Sequence, residues 1–115
     1  LEKLPEFLDQ KRKLSLNYKR RFEGIEGVKF FTEPEFCKSN NWLNSLILDP
    51  GNTKHLTPLL KLTNRIRIMT RPIWEPMHTL PMYQDCPRMD LSVAEDLAQR
   101  ILNIPSSATL RINND

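Results

Sequence analysis

Apolar side chains recur at spacings of three and four, or their multiples, through the first two dozen residues. Leu4, Phe7, Leu8, Leu14, Tyr18 and Phe22 fall on one side of a helix predicted over about Pro5 to Glu23. Pro5 suits its first turn and Gly24 its stop. The pattern then changes. Val28 to Thr32 has strand composition and is halted by Glu33-Pro34. A second strand is predicted over about Asn41 to Leu48. Its apolar residues Trp42, Leu43, Leu46, Ile47 and Leu48 imply that both faces are covered toward its end. The turn Asp49-Pro50-Gly51-Asn52 closes it.

A second helix is expected from Thr53 or Thr57 to Ile66, with Thr57 as N-cap before Pro58, and a stripe of Leu59, Leu62, Ile66 and Met69. A short extended piece, about Ile68 to Trp74, is limited by Pro72 to an edge or a strand end. After a proline-rich loop, Ser92-Val93-Ala94-Glu95 reads as a capping box. Val93, Leu97, Ile101 and, just past the helix, Ile104 point one way, and Pro105 ends the helix at about Leu102 or Asn103. The polar tail 106–115 is expected to be weakly ordered, above all beyond Leu110. This α-β-β-α-β-loop-α order predicts an α+β fold: a small antiparallel sheet of about three strands with three helices.

At 115 residues the chain is one domain, 1–115, burying roughly two thirds of its unfolded surface. Its hydrophobic share of 39% and charged share of 27% exclude a disordered chain. No apolar run approaches the ~18 residues that a membrane span requires, and the opening "LEKLPEF" carries charges where a signal peptide would be apolar. The chain lacks an initiator Met and starts inside an amphipathic pattern, as a piece of something longer does. Cys37 and Cys86 lie far apart, without C-x-x-C or a His at ligand spacing, so free and partly buried thiols are the simplest reading, ahead of a disulfide or a metal site.

The formal charge is +3, and the excess sits in the first helix, in "KRK" (11–13) and "KRR" (19–21). Glu6 and Asp9 near the positive end of that helix and Lys19, Arg20 and Arg21 near the negative end match the macrodipole, so the charge requires no nucleic acid to explain it. A small basic binding or regulatory module remains the alternative, and salt-sensitive binding would mark it.

Three glycines cannot build a phosphate loop, and no H-E-x-x-H, G-x-S-x-G or carboxylate pair stands at useful spacing. His55, beside a helix start, reads as a surface residue. No catalytic residue is expected within this chain. The functional candidate is "RPIWEPMHTLPMYQDCPRMD", residues 71–90, where Trp74, His78 and Tyr83 lie on a segment stiffened by Pro72, Pro76, Pro81 and Pro87. Prolines reduce the entropy lost in holding a loop for a ligand. The competing reading is a rigid crossover in which Trp74 and Met77 pack into the core.

From Thr70 to Leu110 the sequence resembles the C-terminal segment of the DegT-type sugar-nucleotide aminotransferases. The carrying pattern is R-P-x-W-x-x-x-H-x-x-P-x-Y, followed by an A-E-rich helix and "NIPSS". The first 22 residues look like the long helix after that family's cofactor domain, and "NNWLNSLIL" like its next strand. The resemblance is closest to the legionaminic-acid-type subgroup.

It implies the small C-terminal domain of a cytoplasmic, homodimeric fold-type I pyridoxal phosphate (PLP) enzyme. The Schiff-base lysine and cofactor pocket would lie upstream of this chain, which alone would be inactive and bind no cofactor. The whole enzyme would pass an amino group from glutamate to a keto group of a nucleotide-linked deoxysugar, without nucleic-acid or membrane partners. This domain would form one wall of the sugar-nucleotide cleft. Arg71 would meet diphosphate or glutamate's carboxylate, unless it pairs with Glu75 at the surface. His78 and Tyr83 would hydrogen-bond sugar or phosphate, with Trp74 packed beside them. Relatives commonly have Gly where this chain has Arg67. A left-handed helix end there costs ~1 kcal/mol without Gly, which predicts a helix that runs on or ends differently.

Overall fold

The computed structural model describes residues 2–110. Helix α1 covers Leu4–Phe22, with proline in its first turn, Glu6 at its start and Lys19, Arg20 and Arg21 in its last turn. Gly24 follows at φ 79°. Leu14 is the buried residue of α1, and Tyr18 and Phe22 continue its stripe onto the sheet. Leu4 and Phe7, from the same stripe, are exposed.

Four strands form one antiparallel sheet, in the order β1-β2-β4-β3: β1 is Val28–Phe30, β2 Asn44–Leu48, β3 Arg71–Pro72 and β4 Ile101–Ile104. β4 corrects the sequence reading. The third helix, α3, stops at Ala98 after seven residues, and Ile101–Ile104 is a central strand rather than a helix end. β2 and β3 flank it, pairing Leu46 with Leu102 and Arg71 with Asn103.

Cross-strand partners share a face, so the pairs Val28–Leu48, Phe30–Leu46 and Leu46–Leu102 stand on one side. That side is the core: Leu46, Leu102 and Ile104 meet Tyr18 and Phe22 of α1 and Leu56, Leu59 and Leu60 of helix α2, Leu56–Arg65. Leu102 is 1% exposed, and burying such a side chain stabilises by about 1.5–3 kcal/mol. The opposite face carries Lys29, Ser45, Ile47, Arg71, Ile101 and Asn103. There Ser45 Oγ donates to Asn103 Oδ1 at 2.7 Å, which partners the buried Asn103 amide.

α2 begins one residue before Thr57, after a 3-10 turn over Pro50–His55, so Thr57 is not its cap. α3 likewise lacks the expected capping box. Asp90 accepts from both the backbone N–H and the hydroxyl of Ser92, and these bonds, backbone first, hold its carboxyl below the usual range. β2 starts at Asn44, leaving Trp42 and Leu43 ahead of the strand. Both cysteines are free and exposed rather than partly buried.

Lys11 ties three parts of the chain together. Its Nζ donates to the carbonyls of Ser106 (2.6 Å), Asn41 (3.2 Å) and Trp42 (3.4 Å), and burial pushes its ammonium below the usual lysine value. Ser106, the first residue of the expected loose tail, also accepts from the Asn44 backbone N–H at 2.8 Å. Residues 111–115 lie outside the described residues.

Candidate functional site

Arg67 sets how the chain reaches the candidate loop. α2 does not run on: it ends with Arg67 itself left-handed at φ 65°. Ile68 N–H donates to Thr63 O at 2.8 Å and Arg67 N–H to Asn64 O at 3.0 Å, the paired bonds of a Schellman motif usually completed by glycine. Past it, buried Thr70 is gripped by Asn64, whose Nδ2 donates to Thr70 O at 2.9 Å, and by Thr63, at 2.5 Å between hydroxyl oxygens. Helix end and threonine knot together aim the chain into β3, where Arg71 begins the strand.

The four candidates do not converge on one point. Arg71 is exposed on the sheet face shared with Asn103, and among the described residues it makes no ion pair. Glu75, the partner weighed for it, accepts instead from Thr79 Oγ1 at 3.1 Å. Trp74 is 73% exposed and thus not a core residue. Its ring lies 5.8 Å from that of Trp42, tilted by 55°. That pairing joins positions 32 apart in the chain, and only the shared residue type hints at it.

His78 and Tyr83 do come together. Two 3-10 turns, Met77–Thr79 and Pro81–Tyr83, coil the loop against α3 and leave a hollow of about 400 Å³ lined by both residues with Cys86, Arg88, Leu91 and Ala94. Arg71 and Trp74 do not line it. The His78 side chain is 12% exposed, and its Nε2 stands 2.8 Å from Glu95 Oε1 of α3. Glu95, expected to cap the helix, thus holds the loop. Nothing in the local sequence announces a contact across 17 residues. His55 is exposed at the end of the 3-10 turn that leads into α2 and does not line this hollow.

Lys11 is held by three carbonyl oxygens, and the other described lysines are exposed. Among the described residues no cluster of His, Cys, Asp or Glu could hold a metal ion, and no helix is long and apolar enough to cross a membrane.

The model of the DegT/DnrJ/EryC1/StrS aminotransferase family matches residues 1–114. A protein of Bacillus subtilis (strain 168), named provisionally as a pyridoxal phosphate-dependent aminotransferase, EpsN, is 32% identical over 114 residues. The match takes in 96% of this chain and 29% of that one. GDP-perosamine synthase of Escherichia coli O157:H7 is 28% identical over 113 residues, again 96% of this chain and 29% of the relative. Among solved structures, DesI in the presence of its TDP-sugar product superposes with a TM-score of 0.85 at 23% identity, covering 96% of this chain and 29% of DesI. That likeness shows the fold. The chain spans about 29% of the length of these relatives.

Proposed function

The chain belongs to the DegT/DnrJ/EryC1/StrS aminotransferase family, and from that premise we propose that it is the small C-terminal domain of a longer sugar-nucleotide aminotransferase. The observation that carries the proposal is the family match along nearly the whole chain, with the R-P-x-W-x-x-x-H-x-x-P-x-Y stretch intact from Arg71 to Tyr83. The whole enzyme would be a cytoplasmic homodimer that moves an amino group from glutamate to a keto group of a nucleotide-linked deoxysugar. The product would serve bacterial surface glycans, with legionaminic-acid-type sugars as the expected subgroup. Relatives named for GDP-perosamine synthesis, or solved with a TDP-sugar product, support a nucleotide-sugar substrate.

Pyridoxal phosphate supplies the electron sink when bound, and its lysine belongs to the part of the enzyme outside this chain. The work of these residues is orientation. Arg71 offers a planar guanidinium for diphosphate or carboxylate. His78 and Tyr83 line the hollow that takes the sugar side, and Trp74 presents an apolar face. The alternative of a basic binding module draws no support from the first helix, where Lys11 is tied to backbone carbonyls and Lys13 pairs with Asp9 at 2.7 Å.

The test is the visible spectrum of the longer protein before and after adding glutamate. A cofactor band that glutamate moves to shorter wavelength is expected. A protein without such a band, or one indifferent to glutamate, would sink the proposal.

A further inference from the structure

We propose that Glu95 is a positioning residue that fixes the tautomer of His78, leaving Nδ1 as an acceptor for a sugar hydroxyl rather than a donor to phosphate. The hydroxyl assignment rests on the functional reading above; the tautomer stands on geometry alone. Glu95 Oε1 lies 2.8 Å from His78 Nε2. An ionised carboxylate only accepts, so the shared hydrogen sits on Nε2. In a neutral imidazole the other nitrogen then carries a lone pair and no hydrogen. Nδ1 makes no hydrogen bond to any described residue, although the side chain is only 12% exposed. Its ring borders the hollow of about 400 Å³ shared with Tyr83 and Arg88.

An acceptor in that place selects the ligand group. A diphosphate offers acceptor oxygens alone, and two acceptors facing each other without a hydrogen repel. A sugar hydroxyl can donate to Nδ1. The donors that a diphosphate requires are available outside the hollow, in the exposed guanidinium of Arg71. Glu95 therefore decides which end of a nucleotide sugar His78 can meet.

Two measurements test this. The first is nitrogen-15 NMR of the imidazoles at about pH 8, where an ordinary histidine is neutral. The chain has two histidines, so a His55→Gln background leaves one signal set. A protonated Nε2 and bare Nδ1 are expected. Glu95→Gln, whose amide can accept or donate, should yield a mixture of tautomers with unchanged far-ultraviolet circular dichroism. A protonated Nδ1 in the Glu95 protein, or an imidazolium, overturns the assignment.

The second measurement uses the full-length enzyme with dTDP- and GDP-linked 4-keto-6-deoxyhexoses. Glu95→Gln should raise KM for the accepted sugar in inverse proportion to the fraction of His78 left with a bare Nδ1, about twofold for an even mixture, and leave KM for glutamate unchanged. Inhibition by dTDP or GDP alone should be equal in both proteins. Weaker inhibition of the variant by the bare nucleotide would place phosphate at His78 and refute the hydroxyl role. An enzyme that aminates neither sugar removes the functional reading and the hydroxyl role with it, while the NMR result still decides the tautomer.

Discussion

Replacing Arg67 by glycine should stabilise the protein. Arg67 stands at φ 65°, where a residue with Cβ crowds its own carbonyl at a cost of roughly 1–2 kcal/mol. Glycine removes that strain but loses more freedom on folding, an opposing effect of about 0.4–1 kcal/mol. The bonds from Ile68 to Thr63 and from Arg67 to Asn64 involve backbone atoms alone, so both survive the change. The balance favours Arg67→Gly by about 0.5–1 kcal/mol. Urea unfolding reads it directly. With a slope of about 1–2 kcal/mol per molar, the midpoint should rise by roughly 0.5 M at unchanged slope. Arg67→Ala is the control, because alanine keeps the left-handed strain and should leave the midpoint nearly unmoved. The reasoning fails if glycine and alanine shift the midpoint alike. It fails equally if glycine lowers it, which would mean that the arginine stem, bordering the apolar cleft between α1 and α2, contributes more than the strain removes.

Other outcomes can be checked with the same protein. Leu102→Ala, at the most buried side chain, should cost about 2–5 kcal/mol in urea or thermal unfolding. Asp96 has its carboxyl held down, mainly by its hydrogen bond from Arg100, and Asp90 by its bonds from Ser92. Both folded values lie below the unfolded ones. Their contribution is therefore present above about pH 4 and lost as pH falls through the folded values. Asp90→Asn and Asp96→Asn should each flatten the acid limb of a stability-against-pH curve. Exposed Cys37 and Cys86 should both react with a thiol reagent in the native protein, without denaturant.

Much of the fold could be read from the chain because its signals are local. The stripe of α1, the Asp49–Asn52 turn and the left-handed glycine at 24 each lie within a few residues of what they control. The last strand could not be read this way. Val93, Leu97, Ile101 and Ile104 keep a helical spacing by coincidence. Ile101–Ile104 is instead fixed by partners in β2, some 55 to 60 positions away, and in β3, about 30 away. Val93, counted in that stripe, is 71% exposed. Ser92 and Glu95 at capping-box spacing misled for a similar reason. Asp90 and His78 compete for their polar groups, and the second contact crosses the loop. The candidate loop stood out through its prolines and aromatics. Its division into a tryptophan pair, a histidine hollow and a sheet-face arginine depends on coiling that no short-range pattern encodes.

The placement of β4 between β2 and β3 has a consequence for assembly in time. Synthesis delivers the β1–β2 hairpin, both long helices and β3 before the strand that joins them. Until Ile104 has emerged, β2 lacks its inner neighbour and β3 has no partner at all. Closure over so many residues is entropically costly and tends to be slow. During that interval the apolar sides of α1 and α2 face a half-built sheet. A chain interrupted before Ile101 would keep its helices and hairpin yet lack the centre of its core, a prime substrate for proteases and a seed for aggregation.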